Sequence, residues 1–186
     1  MTLAGSAPTV TSAYRGRMSE PAGERPAMSD YGVDTPDWTP LPWSWAATRL
    51  GQGRNYWVVT ASASARPHAL PVWGVWDHDE LRFAFSCSPR SRKAANVVAN
   101  PQVTVAVDDT VECVSVEGRA VVVEGERKDL WAERYLTKYA PIAPTLTAAF
   151  IQENLVVELV PERAFGIIER EEEFAARATR WRFPAA

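Results

Sequence analysis

The sequence predicts a mainly β domain with a few short helices, its strands forming an antiparallel meander that closes into a barrel. Three observations carry this. From Asn55 to Val123, short runs of β-branched and aromatic residues recur between polar turns. The chain lacks the regular strand–helix alternation of a doubly wound sheet. No GxGxxG follows any of its strands, which removes a dinucleotide-binding reading of that kind.

Residues 1 to 37 are rich in Ala, Gly, Ser, Pro and Thr and have almost no apolar period. Such a composition buries too little surface to offset chain entropy, so this stretch is predicted to be a disordered arm. The alternative is an arm that folds over a partner subunit. The domain proper is predicted over 38–186.

It opens at Pro42-Trp43-Ser44-Trp45 and runs to Leu50-Gly51. Proline in the first turn and glycine past the end mark a short helix. A strand follows from Asn55 to Ser62, and Pro67 separates it from a second over His68 to Trp76. Asp77-His78-Asp79 is a tight turn into a strand from Leu81 to Ser86. Ser91 to Ala99 interrupts the strands with a short helix that stops before Pro101. Gln102 to Val107 and Val111 to Val123 are strands again, and Gly118 predicts a bulge or bend in the longer one. Leu130, Trp131 and Tyr135 lie at helical spacing within Arg127 to Tyr139. A shorter helix over Pro144 to Glu153 precedes the last strands: Leu155 to Val160, Ala164 to Ile168 and Thr179 to Phe183. There is no internal repeat.

A net charge of −3 over 186 residues provides no basic footprint for nucleic acid. No apolar run reaches the ~18–20 residues that span a bilayer, and the N-terminus lacks the pattern of a secretory signal. The expected address is the cytoplasm. Cys87 and Cys113 have no CxxC spacing, and His68 and His78 are the only imidazoles, so no metal site is expected. No GxSxG nucleophile elbow occurs. A chain so poor in bases suits a cofactor that brings its own reactivity. The eight tryptophans suit interfaces and pockets for flat ligands, although several must be core.

The run Ser88-Pro89-Arg90-Ser91-Arg92-Lys93-Ala94-Ala95-Asn96 places three cations at a strand-to-helix junction of a slightly acidic protein. A helix N-terminus presents unpaired N–H groups and a positive dipole end. Ser91 can cap it and donate to an anion, Arg92 offers a planar fork, and Lys93 a mobile point charge. Together they make a phosphate cradle. Helical spacing puts Ala94, Val97 and Val98 on one face, packed on the barrel, and Lys93, Asn96 and Asn100 on another. These residues alone leave open a solvated basic helix start of no special role.

The strand Ala69-Leu70-Pro71-Val72-Trp73-Gly74-Val75-Trp76 is the second feature. Pro71 lacks an N–H, which predicts a sheet edge or an irregularity there. Gly74 would let a flat ligand approach the backbone. Trp73 and Trp76, three apart on a strand, should point to opposite faces. One could line a pocket while the other fills the core, or both could be core or interface residues.

With these pieces in order, the chain from about residue 43 to 183 resembles the pyridoxamine 5′-phosphate oxidase-like split β-barrel family of flavin- and deazaflavin-dependent oxidoreductases. The matching pieces are Arg66-Pro67-His68, Pro71-Val72-Trp73, Ser91-Arg92-Lys93, Asn96, Asn100-Pro101 and Val116-Glu117-Gly118-Arg119-Ala120. Arg134-Tyr135, Tyr139, Val156 to Val160 and Phe165-Gly166 are similar to the deazaflavin-using branch. The resemblance implies a cofactor phosphate on Ser91, Arg92 and Lys93, with Arg90 and Asn96 nearby. It implies a ring lying along Leu70, Pro71, Val72, Trp73 and Gly74, with Ala84, Phe85 and Ser86 contributing from the next strand. It also implies a homodimer, since a second subunit completes the site. F420 is the cofactor implied ahead of FMN, with Arg90 available to the acidic tail of F420. The ending Arg180-Trp181-Arg182-Phe183-Pro184 departs from the Arg- and His-bearing end of a true pyridoxamine 5′-phosphate oxidase, which counts against vitamin B6 oxidation.

The function implied is hydride transfer between bound F420 or FMN and a small organic acceptor, with no dedicated catalytic side chain. The alternative is a non-enzymatic flavin, F420, haem or tetrapyrrole binder on the same barrel. A nucleic-acid contact at the basic turn is opposed by the lack of a wider basic surface.

Overall fold

The computed structural model of the protein describes residues 18–184. Its strands are β1 (Gly23–Glu24), β2 (Tyr56–Ala61), β3 (Pro67–Val72), β4 (Gly74–Asp77), β5 (Arg82–Cys87), β6 (Gln102–Val107), β7 (Glu112–Val123), β8 (Leu155–Ile168) and β9 (Thr179–Arg182). The helices are α1 (Trp43–Gln52), α2 (Arg92–Ala99), α3 (Gly125–Tyr139), α4 (Ala148–Glu153) and α5 (Phe174–Arg177). All strand pairings are antiparallel.

β8 organises the sheet. The two strands expected over Leu155–Val160 and Ala164–Ile168 are one, because β7 pairs with β8 from Val123↔Val156 to Glu112↔Ile168. The register shifts between Glu117 and Gly118, where Glu117 faces Arg163 and Gly118 faces Pro161, so Glu162 is the extra residue of a bulge. The irregularity falls where Gly118 predicts it. A Cβ on Gly118 would lie 2.1 Å from the Val160 carbonyl oxygen, so only glycine fits that crossing. The other edge of β8 carries β5 along Leu155 to Leu159 and β9 along Arg163 to Gly166.

Neighbouring strands run β4-β5-β8-β7-β6-β2-β3, and the chain passes from β3 directly into β4 without the two pairing. The sheet is therefore a barrel left open at Trp73: a split barrel. The single strand expected over His68–Trp76 is two strands for this reason. β3 is an edge strand, as Pro71 predicts.

Burial follows from the two layers. Inside the barrel, Tyr56, Val58, Phe83, Phe85, Val105, Val116 and Leu159 pack with Trp43 and Leu50 of α1. On the opposite side of β4 and β5, Val75, Ala84 and Val156 meet Trp131, Tyr135 and Tyr139 of α3 and Ile151 of α4. β4 and most of β5 are thus buried on both faces, and their residues do not alternate. Trp76 joins the barrel core and Trp73 packs against the helical cluster, the divergence expected of the pair. A buried ion network stitches the layers. Glu158, 8% exposed, accepts from Arg127 and from the Trp131 indole, each at 2.6 Å. Arg134 bonds Asp77 and Glu80 nearby.

The arm expected over 1–37 needs correction from residue 18 onward; residues 1–17 lie outside the described residues. β1 pairs with β9 through Gly23↔Trp181 and Glu24↔Arg180. Val33 is fully buried, Trp38 donates to the Ala178 carbonyl at 2.8 Å, and Glu24 accepts from both Arg180 and Arg182. A few well-placed residues anchor this segment despite its low apolar content. Among the described residues, no helix is long and apolar enough to cross a membrane.

Candidate functional site

The cradle is built where β5 ends. Ser91 precedes α2 with extended backbone and its Oγ accepts from the Ala94 N–H at 3.2 Å, the capping bond expected of it. The turn before it is held by the Ser88 carbonyl, which accepts from the Ser91 N–H at 2.9 Å. Arg90 and Arg92 are exposed and Lys93 is half-buried. None of these three is ion-paired among the described residues, whereas Arg127 and Arg134 of α3, Arg163 of β8 and Arg180 and Arg182 of β9 all are. His68 of β3 belongs to the same cluster: burial, then the charges of Arg92 and Lys93, hold its imidazole below the usual pKa. Its Nδ1 is buried without a partner. The site is a concentration of uncompensated positive charge around a helix N-terminus.

β3 runs beside it. Leu70 and Pro71 are exposed, and Val72 and Trp73 half-buried, along the open edge. The Trp73 ring stacks on Tyr139 with centroids 4.7 Å apart and planes 4° from parallel. Tyr135 Oη donates to the Trp73 carbonyl and accepts from the Ser86 N–H, so α3 clamps both sides of the barrel's opening.

Four of the expected site residues are placed differently. Gly74 is buried. Its N–H donates to Tyr139 Oη and its carbonyl accepts from Lys138 Nζ and Tyr139 Oη, so it offers no free backbone to a ligand. Its lack of a side chain instead makes room for Phe83. Ala84 and Phe85 are fully buried on opposite faces of β5, which is paired on both edges, so neither side chain reaches a ligand. Asn96 turns inward, its Nδ2 donating to Thr60 Oγ1 at 2.9 Å, and so ties α2 to β2. Val98, expected to pack on the barrel, is 77% exposed; Ala94 and Val97 do pack. An eight-residue helix lying on a sheet buries only a narrow stripe, and Asn96 takes the place assigned to Val98.

Ser86 of β5 does reach open space. A cavity of about 360 Å³ is lined by Trp73, Ser86, Cys87, Ser88, Tyr135, Leu146, Phe150, Ile151 and Asn154. It adjoins the cradle through Cys87, whose thiol lies near Ser91 and Lys93. Burial raises that thiol's pKa, against the lowering effect of the nearby Ser91 hydroxyl and the Lys93 charge. Sequence reasoning missed Leu146, Phe150 and Ile151, and an apolar pair on a short capped helix is the only signal they carry. It also missed Lys138. Its Nζ sits 2.7 Å from Tyr56 Oη, and burial lowers its pKa to about 8. Burial raises Tyr139 to about 12 and pushes Tyr56 up as well. A second cavity, about 240 Å³, lies between Met28 and Phe165, but its Arg163 and Arg180 are held by Glu117 and Glu24.

Similar folds recur in solved structures. HutZ, the haem storage protein of Vibrio cholerae, superposes with a TM-score of 0.51 at 19% identity, covering 60% of this chain and 83% of HutZ. The conserved hypothetical protein Rv2991 of Mycobacterium tuberculosis superposes at 0.59 and 17% identity, over 82% of this chain and 94% of its own. General Stress Protein 26 of Bacillus anthracis does so at 0.53 and 17%, over 69% and 94%. At such identities the likeness is one of fold. No curated protein matches the chain. The sequence profile of pyridoxamine 5′-phosphate oxidase, however, matches residues 47–167, from within α1 to the end of strand β8 and across both the cradle and the open edge. On that match the chain belongs to the pyridoxamine 5′-phosphate oxidase family.

Proposed function

We propose that this protein is a homodimeric oxidoreductase that moves a hydride between bound F420, or FMN, and a small organic acceptor. The observation that carries the reading is the set of uncompensated cations at a capped helix start in a chain of net charge −3. Ser91, Arg92 and Lys93 would hold the cofactor phosphate, with Arg90 left for the acidic tail of F420, and the fit is good: the donors are plentiful and no carboxylate competes for them. The exposed Leu70 and Pro71, with half-buried Val72 and Trp73, would support the ring. When bound, the reduced cofactor supplies the hydride. The chain's own residues bind, orient and exclude water, which asks for no side-chain base. Trp57 and Leu70, each 44% exposed on neighbouring strands, support a second subunit that covers this edge.

FMN and F420 titrations of the wild type, Arg92→Ala and Lys93→Ala test the reading. Each substitution is expected to weaken binding by about 1–3 kcal/mol while leaving the melting temperature unchanged. Stopped-flow reoxidation of the reduced cofactor by candidate acceptors then tests catalysis, and sedimentation tests the dimer.

A second reading, haem or tetrapyrrole binding without catalysis, draws on the likeness to HutZ and on His68, whose weakly basic imidazole sits at the cradle. Haemin titration that yields a Soret band abolished in His68→Ala, with neither FMN nor F420 bound, would decide for it.

A further inference from the structure

Resting on the reading above, we infer that His68 is a further anion-binding residue of the cradle, donating its Nε2–H to the phosphate ester that Ser91, Arg92 and Lys93 hold. Two contacts bring it there. Thr60 of β2 and His68 of β3 are register partners, so their side chains share one face of the sheet. Thr60 Oγ1 accepts from Asn96 Nδ2 at 2.9 Å, which docks α2 on that face. Arg92 and Lys93 stand one helical turn before Asn96, so the three are neighbours on the surface of α2. The His68 ring and the two cations therefore meet at the same end of the barrel.

The two nitrogens of the ring are not equivalent. Nδ1 is sealed from solvent and has no partner among the described residues. Nε2 is neither sealed in this way nor bonded among them. A proton on Nδ1 would be an orphaned buried donor, a rarer and costlier state than a sealed lone pair. The neutral ring thus carries its proton on Nε2, the nitrogen left for a ligand. Burial, and then the charges of Arg92 and Lys93, hold the imidazole below its usual pKa, so the ring is neutral at pH 7.5. A neutral N–H adds a donor to the cradle without the repulsion that a third cation would meet there. A phosphate oxygen accepts from such a group, whereas haem iron needs the Nε2 lone pair that this tautomer lacks.

The test uses the full chain at pH 7.5. FMN and F420 are each titrated by calorimetry beside the phosphate-free ribityl form of the same ring, which also shows whose phosphate ester the cradle takes. His68→Ala is expected to bind the phosphate ester roughly five- to tenfold more weakly, the effect of one hydrogen bond, and the phosphate-free form equally well. His68→Gln, which keeps a side-chain N–H, should restore most of the loss. Long-range proton–nitrogen NMR reads the tautomer, because His68 and His78 are the only histidines and His68→Gln removes one set of signals. The wild type should show Nε2 protonated and Nδ1 bare. A proton on Nδ1, an unchanged phosphate-ester affinity in His68→Ala, an equal loss for the phosphate-free form, or a haemin Soret band that depends on His68 would each overturn the assignment. Cofactor binding that falls in Arg92→Ala and Lys93→Ala but ignores His68 would leave the oxidoreductase reading standing and remove His68 from the cradle. If neither cofactor binds the wild type, that reading falls and inorganic phosphate decides for His68. A saturable shift of its Nε2 signal then supports the anion contact, and no shift overturns it.

Discussion

The ring of Phe83 occupies the space where any side chain on Gly74 would go: a Cβ there would lie 2.0 Å from Phe83 Cζ. This contact sits at the point where the chain leaves the edge strand β3 for the doubly buried β4. Gly74→Ala is therefore expected to cost about 1–3 kcal/mol, the scale of overpacking in a core. Phe83→Leu in the same chain should restore part of the loss. Urea denaturation of the two single variants and the double variant measures both effects; additive losses would contradict the contact.

Substituting the exposed Arg90 tests which of the two proposed cofactors the cradle is built for. F420 carries an acidic tail that FMN lacks, so Arg90→Ala should weaken F420 binding by ~0.2–1 kcal/mol and leave FMN unchanged. Screening should shrink the F420 effect at higher ionic strength. Titrations of both cofactors at two salt concentrations check this, and equal effects on both would argue that Arg90 meets the phosphate itself.

Lys138 makes stability depend on pH. Its pKa is about 8 in the fold and near its ordinary value of 10.5 when unfolded. Between those values the unfolded chain binds more protons, so stability contributed at this position rises with pH across that window. Below pH 8 both states are charged and the full cost of burying the ammonium is present. Lys138→Met should remove this dependence. The difference between wild-type and variant stabilities should shift in favour of the wild type by about 1–3 kcal/mol from pH 7.5 to 10. Denaturation midpoints at four pH values measure it, and parallel curves would show that the ammonium is solvated.

Deleting residues 1–37 removes buried Val33, the β1–β9 pairing and the Glu24 ion pairs to Arg180 and Arg182. The expected loss is at least about 2 kcal/mol from the Val33 side chain alone. A variant that starts at residue 18 keeps all three contacts and should retain them as stability. Thermal melts of the two truncations distinguish the anchoring segment from the residues before it.

Much of the fold was legible because its signals are local. Ser91 announces the start of α2 through its capping bond, Gly118 marks the bulge opposite Pro161, and Pro71 lies on an edge strand. The cradle was legible for the same reason, since Arg90, Ser91, Arg92 and Lys93 are neighbours in the chain. The cavity was not. Its walls come from β5, α3, α4 and the loop between the helices, and nothing in the sequence around Phe150 points to Ser86. The inward turn of Asn96 depends on Thr60, 36 residues earlier.

Residue order alone thus set the strand and helix periods, the caps, the edge and the cationic turn, all of which arise from contacts within a few residues. Tertiary packing decided that Gly74 serves Phe83, that Ala84 and Phe85 are sealed between two layers, and that residues 18 to 37 are anchored. It also left Ser86 Oγ buried without a partner. The physical reason is that burial and hydrogen-bond satisfaction are properties of surroundings assembled from distant segments, whereas backbone propensity and capping are settled within one turn.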